Sequence, residues 1–201
     1  MSIRRDKAIK RLHKDNKSSW SSYFVPGSQS PVMPNVNIMI EYEKVIDSAK
    51  DERPIQTFIS QNPEIISQIQ YGGKGNWVFP KPKFGCEYVP DFIICTEDSA
   101  GFHWVLVELE NPTYNALRKD GQQTAHLSNA IKQINDWRIW LRKNVAYVRD
   151  ELSFVDLNAE CIAIIIIGRR KLIYPNQREI YRELSNDKLR VMTYDRLTLK
   201  L

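Results

Sequence analysis

The sequence predicts an α/β domain: a mixed central sheet of four to five strands flanked by helices. Three stretches of the 201 residues carry that expectation. Phe92 to Cys95 and Trp104 to Leu109 are apolar runs of strand length joined by the polar turn TEDSAG, the pattern of a β-hairpin. Ala125 to Lys143 repeats Leu127, Ile131, Ile134, Trp137 or Arg138, and Leu141 at helical period, the strongest helix signal in the chain. Cys161 to Ile167 is continuously apolar and rich in isoleucine, as a strand covered on both faces must be, and reads as the central strand of the core.

The remaining elements follow in chain order. Residues 1–20 hold seven Lys and Arg against two Asp, which equals the whole formal charge of +5 and leaves the body balanced. A basic segment of this kind is a solvated tail, or it touches nucleic acid by releasing counterions. The Ser-, Pro- and Gly-rich stretch that follows reads as a loosely packed lead-in, so 1–36 is assigned as basic N-terminal arm and linker and 37–201 as the folded domain. Asn37 to Lys50 places Ile38, Tyr42, Val45, Ile46 and Ala49 on one helical face. Pro54 opens a second helix through Gln61, with Phe58 and Ile59 inward and a bend at Asn62-Pro63. The glycines around Lys74 form a turn, since no GK[ST] follows to make a phosphate-binding loop. Short strands are expected at Trp77 to Phe79 and Cys86 to Val89, with Lys81 and Lys83 on the Pro-stiffened loop between them. Residues 113–124 are polar and expected to be mobile. Asn176 to Leu184 reads as a last helix and Leu189 to Leu197 as a last strand.

Composition excludes several classes. The longest apolar run is seven residues, far short of the roughly 20 that span a bilayer, and no apolar stretch follows the N-terminal charges as a secretory signal requires. The three cysteines show no CxxC spacing, which fits small buried thiols in a reducing cytoplasm. His13, His103 and His126 have no metal-ligand spacing.

The chemistry concentrates between Val89 and Pro112. Alternation along a strand puts Glu108 and Glu110 on one side, about 7 Å apart, with Val107 and Leu109 on the other. Asp91 opens the neighbouring strand after Pro90, so a plausible hairpin register brings a third carboxylate to the same patch. Such acids repel, and hold a proton or two at neutral pH unless a divalent cation takes their oxygens. A Mg²⁺ (or Mn²⁺) site is the expectation. Pro112 ends the strand because it lacks an N–H.

Pro90-Asp91, sixteen residues, Glu108-Leu109-Glu110 and then a helix carrying Gln133-Ile134-Asn135-Asp136-Trp137 resembles the PD-(D/E)xK nuclease superfamily with its glutamine helix. More narrowly, FISQNPEII, PDF, VELENP, LSNAIKQINDW, IIIIGRR and VMTYDRL together resemble the Shedu anti-phage nuclease domain over roughly residues 50–201. The resemblance implies a restriction-endonuclease-like core, a cytoplasmic homo-oligomer, and DNA as substrate. It makes Asp91 and Glu108 metal ligands, with the Leu109 carbonyl beside them, and Gln133 the group that positions water or phosphate. Glu52 would be an accessory acid, with Glu64 second. Glu110 stands where the superfamily usually has lysine, and would orient or deprotonate the attacking water; Lys132 is the candidate for a displaced lysine. Lys81, Lys83, Lys132, Arg169 and Arg170 are the candidate nucleic-acid contacts. A catalytically inactive DNA-binding or regulatory domain on the same fold, and a protein-interaction module, are the alternatives that the residues leave open.

Overall fold

The computed structural model describes residues 19–26, 34–70, 73 and 75–198. The basic arm through residue 18, with His13, and also Gly72 and Lys74 lie outside the described residues.

The expected α/β architecture is present, with five strands in the order β1 (Gly75–Pro80), β2 (Phe92–Asp98), β3 (Gly101–Leu109), β4 (Ile162–Ile166) and β5 (Leu189–Met192). β1, β2 and β3 form an antiparallel meander, and β4 and β5 then add in parallel, so the sheet is mixed. Sequence order and spatial order coincide. The long connection between parallel β3 and β4 carries α4 (Ala125–Lys143) and α5 (Val145–Asp150).

The sheet is sandwiched. One face packs on α4 through a largely aromatic core that includes Trp77, Phe79, Trp104, Leu106, Trp137, Ala163 and Ile165. The other face packs on α1 (Val36–Ser48), α2 (Arg53–Gln61) and α3 (Glu64–Ser67) through an aliphatic core that includes Met39, Ile46, Ile55, Ile59, Val105, Val107, Ile164 and Ile166. β4 contributes to both cores, as its unbroken apolar run requires. It is nonetheless the fourth strand, and β3 is the middle one.

Local chemistry sets the ends of these elements. Asn35 accepts a hydrogen bond from Asn37 N–H at 2.9 Å to cap α1, and Thr124 caps α4 by accepting from Leu127 N–H at 3.4 Å. Pro54 lies in the first turn of α2, where its missing N–H costs nothing. Gly168, just past β4, has φ +66°, and a Cβ there would lie 2.2 Å from the Tyr114 carbonyl oxygen. Only glycine lets the 113–124 segment close over the end of β4.

Several expectations are corrected. Residues 19–26 are not a loose lead-in. Trp20 is 3 % exposed, with its ring between 5.2 and 5.9 Å from those of Trp77, Phe79, Phe102 and Trp104, and Val25 N–H donates to Asn76 O at 3.0 Å. Burial of a tryptophan in an aromatic box offsets the entropy of ordering this short segment. Cys86 to Val89 is not a strand, because Gly85, at φ +62°, turns the chain tightly enough for Phe84 N–H to donate to Tyr88 O at 2.8 Å. Cys86 is exposed there rather than buried. Residues 113–124 are anchored by buried Ala116 and Leu117. The last strand stops at Met192, and Tyr194–Leu197 is a 3-10 turn; α6 spans only Arg178–Glu183.

Candidate functional site

The β2–β3 register is Phe92 opposite Val107, so Asp91, one residue earlier, comes level with Glu108. The hairpin locks this juxtaposition: Asp91 Oδ2 accepts from the Leu109 backbone N–H at 2.8 Å. Both carboxyl groups are buried, Asp91 to 4 % and Glu108 to 8 % exposure. Alternation turns Val107 and Leu109 into the aliphatic core, and turns Glu108 towards α4, where Gln133 Nε2 donates to Glu108 Oε1 at 2.8 Å. Glu110 sits one step past β3. Its backbone N–H donates to Ile166 O at 2.8 Å, and its carbonyl accepts from the buried Tyr194 hydroxyl at 2.7 Å. Asn111 completes the anchorage by donating to Lys50 O at 2.7 Å and accepting from Thr113 N–H at 2.8 Å.

The acids are under electrostatic tension. Burial, then repulsion from Asp91 and Glu110, pushes Glu108 up to about 9, against the pull of Lys81 and the Gln133 bond. Burial, then repulsion from Glu52 and Asp91, pushes Glu110 up to about 7. Glu108 Oε2 is buried and has no hydrogen-bond partner among the described residues. A bare buried carboxyl oxygen costs on the order of 1–3 kcal/mol. The sequence-level expectation of protons retained at neutral pH has this as its physical form.

A cation already leans on the cluster. Lys81 Nζ pairs with Asp91 Oδ1, and Lys81 N–H donates to Asp91 O at 2.9 Å. Lys81 holds φ +48°, rare for a residue with a side chain, and half of its side chain stays exposed. Lys132, the sequence-level candidate for a displaced lysine, is exposed and pairs instead with Asp136 one turn on, at 2.9 Å. Lys83 is exposed on the same loop as Lys81. Glu52 precedes α2 and is close enough to act on Glu110. Arg169 is turned away from this site: its guanidinium bonds Asp195 at 3.0 Å and Asp47 at 2.6 Å. Arg170 is exposed, and its backbone N–H donates to Asp195 at 2.6 Å.

Among the described residues, no group of three or more His, Cys, Asp or Glu side chains is arranged to hold a metal ion. Three acids influence one another, but they do not converge on one point as the sequence suggested. The oxygen donors of the buried Asp91–Glu108 pair are of the kind a hard divalent cation takes, and these two residues would be the ones to hold it. The bare Glu108 Oε2 is the donor that such an ion would satisfy.

Asn111 and Tyr194 were not singled out from the sequence. Asn111 carries a weak signal, the Asn-Pro pair of VELENP at the strand end; Tyr194 lies in the VMTYDRL stretch, but nothing there marks its partner 84 residues away.

A family model described as Shedu protein SduA, C-terminal, matches residues 49–198. The match takes in every side chain of the acidic cluster, from Glu52 to Gln133, and the sheet that positions them. No curated protein matches the chain. Among the described residues, no helix is long and apolar enough to cross a membrane.

Proposed function

Since the chain belongs to the Shedu SduA C-terminal family, a Shedu-type anti-phage domain, we propose that it is a DNA endonuclease that hydrolyses phosphodiester bonds with Mg²⁺ or Mn²⁺ held by Asp91 and Glu108. The observation that carries this reading is the buried pair itself, in which Glu108 Oε2 has no hydrogen-bond partner among the described residues. A bound divalent ion would neutralise the two carboxylates and polarise the phosphoryl oxygen.

The chain's own groups divide the remaining work. Glu110, poised near neutrality, accepts the proton of the attacking water, since a base is most effective when its pKa lies near the working pH. Lys81 carries the positive charge that the superfamily usually draws from the position of Glu110, and its half-exposed ammonium stabilises charge developing on the phosphoryl oxygens. Gln133 fixes the Glu108 rotamer, and Tyr194 and Asn111 hold the Glu110 backbone. Lys83 and Lys132 are exposed cations available to neighbouring phosphates, whereas Arg170 lies apart from them, past the end of β4. Assembly as a homo-oligomer rests on the resemblance alone.

One observation favours a second reading, an inactive DNA-binding domain: Lys81 already partners Asp91, so the pair is partly neutralised without a metal. Cleavage assays separate the two. Wild type should cut DNA with Mg²⁺ or Mn²⁺ and stop in a chelator, and Asp91→Ala should lose activity by about 10²-fold or more. DNA binding that survives the chelator, with no cleavage under either metal, would establish the binder instead.

A further inference from the structure

Away from the acidic cluster, at the outer edge of the sheet, lies a cleft of about 810 Å³. Arg170, Arg178, Arg182, Arg190 and Arg196 all line it, and all five are exposed. They come from the 3-10 turn Arg170–Leu172, helix α6, strand β5 and the 3-10 turn Tyr194–Leu197. None of the five side chains makes an ion pair among the described residues, whereas Arg169 beside them is fully engaged by Asp195 and Asp47. The cleft has one acid in its lining, Asp187. Arg178 and Arg182 are also spaced i, i+4, a like-charge arrangement that weakens a helix. Five like charges around one concavity cost stability unless an anion joins them.

The cleft is not shaped for another strand. β5 ends the sheet, but its outward backbone groups are taken: Val191 N–H donates to Ser185 Oγ at 3.0 Å, Leu189 N–H to Asn186 Oδ1 at 2.9 Å, and Asn186 N–H to Leu189 O at 2.7 Å. Blocked edge groups flanked by arginines resist pairing with a second copy. The five arginines come from four separate elements around one concavity rather than from one extended element, which suits a compact anion better than an extended backbone. Between them, half-buried Ile173, Tyr181 and Met192 offer apolar and aromatic surface. The volume lies in the range of small-molecule sites, in which a few polar groups fix a ligand against apolar walls.

We propose that this arginine cleft binds a nucleoside polyphosphate, its phosphates held by the guanidiniums and its base set against Ile173, Tyr181 and Met192. Arginine is suited to the task because its planar fork meets phosphate oxygens in pairs and stays charged. The site stands independently of the acidic cluster, and it is tested without metal. ATP and inorganic triphosphate are titrated calorimetrically into the full chain in a chelator, with a short DNA duplex as competitor. ATP is expected to bind more tightly than inorganic triphosphate. Affinity should fall about a hundredfold in the Arg182→Ser/Arg190→Ser double variant, about tenfold for each lost guanidinium, and be retained in Lys81→Met. Circular dichroism of the double variant should match wild type. The proposal is overturned by absence of ATP binding, by unchanged affinity in a folded double variant, by inorganic triphosphate binding as tightly as ATP, or by arginine-dependent duplex binding that ATP does not compete.

Discussion

Two charge clusters lie near the carboxyl ends of neighbouring strands, and they are built on opposite principles. Past β4, Arg169 is nearly buried and its guanidinium meets Asp195 and Asp47. The bond from Arg169 holds Asp47 below the usual carboxylate range, and its bonds and those of the Arg170 N–H outweigh burial to hold Asp195 there too. At the end of β3, burial pushes Glu108 and Glu110 up; Asp91 repels both, Glu110 adds to the push on Glu108 and Glu52 to that on Glu110, with Lys81 the cation that leans on the group. The first cluster is satisfied by its own chain. The second is complete only with a proton or an added cation. Acids that need an outside partner are where chemistry is expected; acids that do not are scaffolding.

Substitutions sharpen the contrast. The largest effect is expected from Lys81→Met, which should lower DNA cleavage by about 10²-fold while raising Mn²⁺ affinity, because Asp91 Oδ1 loses its competitor. Cleavage rates and metal titrations read the two effects separately, and a fall in both would mean that Lys81 only holds the loop. Arg169→Ala should act the other way round. It strands Asp195 and Asp47, costs about 2 kcal/mol of stability, and so lowers Tm by about 4–8 °C in a chain of this size, with cleavage by the folded protein retained. A loss of cleavage without loss of stability would break the division between the clusters.

pH dependence comes next. Glu108 moves from an ordinary value of 4.5 in the unfolded chain to about 9 when folded, so between those limits the folded state holds a proton that the unfolded state has released. Its contribution is therefore fully present below pH 4.5 and is lost as pH rises through about 9. Glu110 adds the same sign between 4.5 and about 7. Metal-free protein should melt at a lower temperature at pH 8.5 than at pH 6, and Glu108→Gln should flatten that slope. An identical slope in the variant would remove Glu108 as its source.

What could be read from the chain was what is local. The hairpin, the Asp91–Glu108 separation, α4 and the buried β4 are each specified by residues within one or two neighbouring elements, and alternation alone oriented Glu108 away from the aliphatic core that takes Val107 and Leu109. Long-range placement was not legible. Nothing near Trp20 says that its ring closes a box with residues of β1 and β3. The turn that pins Phe84 to Tyr88 looked like a strand because Tyr88 and Val89 favour one. β4 reads as central from its apolar run because hydrophobicity reports coverage rather than strand order. On sequence Lys81 reads as a phosphate contact on a loop; in the fold it has a left-handed backbone and its ammonium pairs with Asp91.

The most direct test of the unsatisfied pair is calorimetric titration of Mn²⁺ at pH 7.5 in buffers of differing ionisation enthalpy. Wild type should bind Mn²⁺ and release about one proton, displaced from Glu108, and Glu108→Gln should bind weakly without that release. Binding with no proton release, or no binding by wild type, would contradict the account.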